Sequence, residues 1–410
     1  MKGTLGRARE ALRGSDFRFL LGAKLLSAGG DGLFNAAVIA ATAFNPDQNT
    51  AAGFAKALAI LVLPYSLIGP FTGVFIDRWS RRKILVWTPL IRALMLVLLV
   101  GGNPDSPWFL IGALVAASVN RFFSSAVTTV IPRVVPDEDL MMANSMTGIG
   151  GTIAMSVFAF AGGLLSDATG NTPVLGLIAL AWVATTLVAR GISSDLSAPN
   201  APEMRLHRDL AWVVGEFFDG IRRLAHSPAA LAPIATIAWD QFLQGIAFVL
   251  SLVVFRERFS EGVGSYSWML ACGAVGLVIG ASVIGKLEER MTKSRILQMA
   301  FAVSGIGLLS AAFSITRITV LVQAFLVGLA YAWKKVPVDT MVQEAMPDDY
   351  RGRAFAIYDV CFNIARVSAS VLAVWLIPAV GVEGTLLLTG AGFLLWIPVL
   401  RAWLSHIEPS

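Results

Sequence analysis

Four carboxylates stand inside long apolar runs of this chain: Asp31, Asp240, Asp339 and Asp359. Such runs imply a lipid surrounding, where an ionisable side chain costs about 2.5–3.5 kcal/mol on insertion scales and so needs a partner or a task. Seven cations share those runs: Lys24, Lys56, Arg92, Arg121, Lys334, Lys335 and Arg366. The three histidines, His207, His226 and His406, all lie in polar segments, so any proton handled within the runs must ride on a carboxylate. Cys272 and Cys361 are far apart, which excludes a disulfide framework and leaves no CxxC metal site.

Asp31 has the setting best suited to proton transfer. It follows Asp16 by 15 residues, roughly 22 Å along a helix, which puts it near mid-depth. Its surroundings, SAGGDGLFN, supply small residues that let helices approach, and Asn35 lies one turn on along the same face. Two readings are open: a proton carrier, or a structural partner of Arg121 or another buried cation. Asp240, with Gln241 and Gln244, either faces a substrate or lies toward an outer mouth. Asp339 follows Lys335 by four residues, the spacing of an internal ion pair. Asp359, Asn363 and Arg366 form a polar stripe that reads as part of an inner gate, and Asp240 and Asp359 stand beside Asp31 as candidates for proton coupling. Arg92, Arg121 and Arg366 lie deep enough to want carboxylate partners, whereas Lys24 and Lys56 can snorkel.

These groups must be positioned by membrane helices. The 410 residues are 56% hydrophobic and 14% charged, with a mean hydropathy of +0.70, against about 45–50% and about 25% in soluble domains. Twelve apolar runs are long enough to cross a bilayer: 17–44, 51–76, 84–101, 108–131, 142–166, 172–190, 229–255, 263–286, 296–314, 318–344, 353–380 and 384–404. The expected fold is an all-α integral membrane protein of 12 transmembrane helices, arranged as two pseudo-symmetric six-helix bundles. Residues 1–190 form the first bundle, 191–228 a linker with an amphipathic helix, and 229–410 the second bundle.

The net charge of +5 is a topology signal rather than a nucleic-acid signal. With the N-terminus inside, 22 Lys and Arg fall in inside segments and three, Arg256, Arg258 and Arg317, outside. The positive-inside rule then puts both termini in the cytoplasm. The basic N-terminus runs straight into the first span and does not read as a cleaved signal peptide.

The halves repeat. GVFIDRWSRRKIL (73–85) aligns with GKLEERMTKSRIL (285–297) at an offset of 212, pairing Gly73 with Gly285, Asp77 with Glu289, Arg78 with Arg290 and Arg81 with Lys293. IPRVVPDEDL (131–140) falls on VQEAMPDDYR (342–351) at 211, and Asp31-x3-Asn35 on Asp240-x3-Gln244 at 209. Three anchors at nearly one offset indicate a duplication.

The first of these segments, Gly73-x-Phe75-Ile76-Asp77-Arg78-x-Ser80-Arg81-Arg82-x-x-Leu85, resembles the loop signature G-x-L-A-D-R-x-G-R-K-x-x-L of the major facilitator superfamily. The resemblance implies a conformational latch of Gly73, Asp77, Arg78, Arg81 and Arg82 that closes the cytoplasmic side, copied at Gly285, Glu289, Arg290 and Lys293. The antiporter signatures of the family are only partly met: Arg121 is present, without the Gln and Gly that follow it there, and Gly162-Gly163 alone represents the span-five motif. SLIGPFTGVFIDRWSRR, IPRVVPDEDLMMANSM and VDTMVQEAMPDDYRGR together resemble bacterial siderophore and multidrug efflux members, so efflux is implied.

The expected protein is a monomeric secondary transporter, exporting small amphipathic or lipophilic compounds by alternating access. The proton is its coupling ion and no other cofactor is needed. Aromatics such as Phe34, Phe122, Phe123, Tyr65, Phe242, Tyr331 and Trp333 are candidates to line an apolar cavity. No G-x-x-x-x-G-K-[ST] is present, which excludes intrinsic ATP hydrolysis. The rivals are an exporter of one metabolite such as a siderophore, a nutrient uptake carrier and a transport-dead receptor. A membrane enzyme would need clustered ligands that this sequence lacks.

Overall fold

A computed structural model describes residues 12–44, 79–99, 106–136, 139–194, 227–346 and 348–405, with short pieces at 60, 196, 215, 218–222 and 224. In hydrocarbon every backbone N–H and C=O must be satisfied within the segment, so the apolar runs become helices. They are α1 (Ser15–Thr42), α2 (Arg81–Met95, continued by a 3-10 turn Leu96–Leu98), α3 (Pro107–Val134), α4 (Leu140–Thr169) and α5 (Asn171–Ala189). After the linker follow α6 (Pro228–Val253, ending in a π turn Val254–Arg258), α7 (Val263–Glu288), α8 (Lys293–Phe313), α9 (Arg317–Ala345) and α10 (Asp348–Ser405). Nine helices among the described residues are long and apolar enough to cross a membrane. The run expected at 51–76 and most of the linker lie outside the described residues.

The polar breaks do the work of starting and stopping helices. Ser106 accepts the Trp108 N–H ahead of Pro107, and Thr316 and Thr319 bond each other's backbone N–H in a capping box that opens α9. Gly170, between α4 and α5, has φ 80° and ψ 178°, and Gly381 within α10 has φ 77° and ψ 175°. Only glycine enters this region freely. Gly381 thereby divides α10 into two arms matching the eleventh and twelfth expected spans, and the two glycines are 211 residues apart, the offset of the repeat. A Cβ at either position would meet nothing within 4 Å, so the obstacle to a side chain is backbone strain alone. Gly170→Ala and Gly381→Ala should each cost about 1–3 kcal/mol, read as a lowered thermal midpoint of the detergent-solubilised protein; an unchanged midpoint would contradict this.

The chain divides into two compact units, Met1–Thr42 with Leu67–Val213 and Ala43–Ser66 with Val214–Ser410. In the first, Phe17, Leu20, Phe123, Val127 and Ile131 pack as a buried core with Ile84 and Leu85 of α2. Asp16, at the start of α1, accepts the backbone N–H of Ser193 at 2.9 Å and of Ser194 at 2.8 Å, tying the chain behind α5 to α1. In the second unit Ile234, Ile237, Val338, Val342, Tyr358 and Leu400 make the corresponding core.

A buried ion pair in each half

In the first unit α1, α2, α3 and α5 converge on Arg92. Its side chain is 2% exposed, and each of its three nitrogens has a bond: Nε donates to the Ala116 carbonyl at 2.9 Å, Nη1 to Asn120 Oδ1 at 3.1 Å and Nη2 to Asp31 Oδ1. Asn120 Nδ2 donates to the other Asp31 oxygen at 3.0 Å. The Trp182 ring lies 3.9 Å under the guanidinium, a cation–π contact from α5. A buried charge persists only when paired and hydrogen-bonded, and this network meets that condition.

The second unit holds a counterpart. Lys334 Nζ, on α9, pairs with Asp240 of α6 and donates to Ser304 Oγ of α8 at 3.0 Å. Gln241 Nε2 donates to the second Asp240 oxygen at 3.0 Å. The Phe393 and Phe301 rings stand 4.8 and 5.2 Å from the ammonium. Applying the repeat offset of 209–212 sends Asp31 to Asp240, Arg92 to Ser304 and Trp182 to Phe393. Lys334 sits within one turn of the position equivalent to Asn120. The acid and the aromatic are thus conserved in place between the halves, while the cation moves from the third helix of the bundle to the fourth.

One difference separates the two clusters. The Asp31 side chain retains 15% exposure, whereas Asp240 has none and Lys334 1%. Asp240 therefore faces its lysine, not the substrate or outer mouth that the sequence suggested, because Lys334 and Gln241 occupy both carboxylate oxygens. Of the buried cations open as partners of Asp31, the one bonded is Arg92 rather than Arg121: the amide of Asn120, one residue before Arg121 and about 100° around the helix, faces the acid. Asn35 is half-buried one turn from Asp31.

The other expected residues fall in separate places. Lys335 and Asp339 pair along α9 at 2.6 Å, and Lys335 also lies 4.8 Å over the Tyr358 ring. Both partners are about one-third exposed, so Lys335→Ala should cost only about 1 kcal/mol. A thermal midpoint lowered as far as by a Lys334 substitution would contradict that. Asn363 donates to the Asp359 backbone carbonyl at 2.7 Å, and the Asp359 residue is exposed. Arg366 lies over the Phe248 ring at 5.6 Å, and no carboxylate bonds it among the described residues; the expected carboxylate partner is replaced by the ring.

Of the latch, Gly73, Asp77 and Arg78 lie outside the described residues. Arg81 is buried and its backbone N–H donates to the Leu196 carbonyl at 3.0 Å, while Arg82 Nη2 donates to the Arg190 carbonyl at 3.1 Å. A cation on the last carbonyls of α5 is a favourable helix end. In the second copy Lys293 pairs with Glu344 at 2.5 Å, and Glu289 and Arg290 are exposed. A Cβ on Gly285 would meet nothing within 4 Å, so this glycine is not a close-approach point. That role belongs to Gly32, whose absent Cβ makes room for the Met155 carbonyl of α4, and to Gly245 against the Arg366 carbonyl.

Residues 11–408 match the family described as transmembrane secretion effector, and the chain is 30% identical over 402 residues to an uncharacterized MFS-type transporter of Mycobacterium tuberculosis, covering 93% of this chain and 89% of the relative. The chain belongs to the major facilitator superfamily. It is also 24% identical to the lysophospholipid transporter of Cronobacter sakazakii, over 75% of this chain and 76% of that one. The fold is that of a crystal structure of the peptide transporter POT in complex with sulfate, with a TM-score of 0.79, 12% identity and 99% of both chains covered. It is therefore a membrane transporter and not an enzyme.

Within this transporter, the residues not singled out from the sequence are Asn120, Trp182 and Ser304, and Lys334 as the partner of Asp240. The repeat carried a signal for two of them, since it maps Arg92 on Ser304 and Trp182 on Phe393.

Proposed function

We propose that this chain exports small amphipathic compounds in exchange for protons by alternating access, with Asp31 as the proton site. The observation that carries the reading is the unequal exposure of two equivalent acids, 15% for Asp31 and none for Asp240. A proton has access to the first carboxylate and not to the second. Protonation of Asp31 removes the charge that Arg92 faces and leaves the guanidinium on Asn120 and the Ala116 carbonyl. The tie joining α1 to α2 and α3 is then weaker, which lets the bundle rearrange. Asp240 holds the second bundle together through Lys334.

The relative named as a lysophospholipid transporter supports an amphipathic cargo. In this reading the protein is a monomer in the bacterial plasma membrane with both termini cytoplasmic, and the basic loop around Asp77 biases the equilibrium between inward and outward states. The test is flux of a fluorescent amphipath in sealed proteoliposomes of verified orientation. Flux should follow an imposed pH gradient and stop when a protonophore collapses it; gradient-independent flux would overturn proton coupling.

A further inference from the structure

Inside the second unit a cavity of about 420 Å³ lies among α6, α7, α8, α9 and α10. That is the size range of small-molecule sites, about 300–1,000 Å³. Its wall is mostly aliphatic. Six polar side chains interrupt it: Gln241, Gln244, Ser251, Gln323, Tyr331 and Arg366. No carboxylate is among the lining residues.

Two of the six are committed, Gln241 to Asp240 and Ser251 to the Phe248 carbonyl at 2.7 Å. Around the same cavity, Gln244 Nε2, Arg366 Nε and both polar atoms of the Gln323 amide are buried without a hydrogen-bond partner among the described residues. Buried polar atoms in folded proteins are overwhelmingly bonded, so four such atoms lining one cavity mark a place where a partner belongs. A guanidinium stays charged at every working pH and prefers planar, two-oxygen acceptors. Asp240, which precedes Gln241 on α6, already holds Lys334. The cavity thus offers a fixed positive charge, donor amides and an apolar wall, which disfavours a lipophilic cation.

We propose that this cavity binds a single-chain amphipath by an anionic head, carboxylate or phosphate. The head is held by Arg366 with Gln244 and Gln323 beside it, and the chain lies along the aliphatic wall. The proposal rests on the transport reading above and names the substrate class of that activity.

The test is binding of 11-(dansylamino)undecanoic acid to the full-length protein in a non-ionic detergent, followed by energy transfer from tryptophan. Dodecanoate or dodecyl phosphate should displace the probe, and which of the two does so at lower concentration tells carboxylate from phosphate. Dodecyltrimethylammonium should not displace it. Arg366→Gln should weaken binding at least about tenfold, the size of one charged hydrogen bond, while Arg366→Lys, which keeps the charge and loses the planar fork, should fall between the two. The methyl ester of the probe should bind wild type and Arg366→Gln alike, which shows that the cavity survives the substitution. Equal affinity of wild type and Arg366→Gln for the acid, displacement by the cation alone, or displacement by neither anion would overturn the proposal. Probe binding in detergent requires no pH gradient. A failed flux experiment with intact binding would therefore count against proton coupling, and the reverse against the anionic head.

Discussion

Lys334→Met is expected to lower the stability of the protein by about 3–5 kcal/mol, because it leaves the Asp240 carboxylate buried without a cation. Asp240 has no exposed surface, so water cannot take over from the ammonium. The double substitution Asp240→Leu with Lys334→Met should recover most of the loss, since replacing a whole buried pair by apolar side chains of similar size is often neutral or stabilising. Thermal unfolding of the purified protein, read as a double-mutant cycle, gives the coupling between the two sites. A Lys334→Met protein as stable as wild type would contradict the account, as would a double variant no better than the single one. The adjacent Lys335, about one-third exposed on the same helix, provides the internal contrast.

Asp31→Asn is the second large effect, and it is one of coupling rather than folding. Asparagine keeps a carbonyl oxygen for Arg92 and loses the capacity to take and release a proton. Gradient-driven flux should therefore fall to the level of empty vesicles, while movement of the same compound down its own concentration gradient persists. Asp240→Asn should instead act through stability, lowering the amount of folded protein without uncoupling what remains. If Asp31→Asn transports against a gradient as wild type does, the proton site lies elsewhere.

What the sequence made legible, and what it did not, follows from the range of the interactions. Helix positions depend on local hydropathy, and so the described helices fall where the apolar runs do, down to the break at Gly381. The Lys335–Asp339 pair was readable because its two members are four residues apart on one helix. The Arg92–Asp31 and Lys334–Asp240 pairs span 61 and 94 residues. Choosing among the available cations there requires knowing how helices are rotated, and one residue of rotation is about 100°. That is the difference between Arg121, one of the cations open as a partner of Asp31, and Asn120, found beside it. The duplication held further information than its three anchors. Followed helix by helix, it connects Arg92 with Ser304 and Trp182 with Phe393, which places a polar or charged group and an aromatic ring around each acid. The exposure that distinguishes Asp31 from Asp240 is a property of packing and has no counterpart in the spacing of residues.

The claim that Asp31 is the residue that carries the proton can be tested without knowing the cargo. Infrared difference spectra of the reconstituted protein, recorded between acid and neutral pH, report the carbonyl stretch of any carboxyl group that gains a proton. The account predicts, in addition to the signal of the exposed carboxylates, a component in wild type that is lost in Asp31→Asn and survives in Asp240→Asn. An Asp31→Asn spectrum identical to that of wild type, or a component that vanishes only with Asp240, would contradict it.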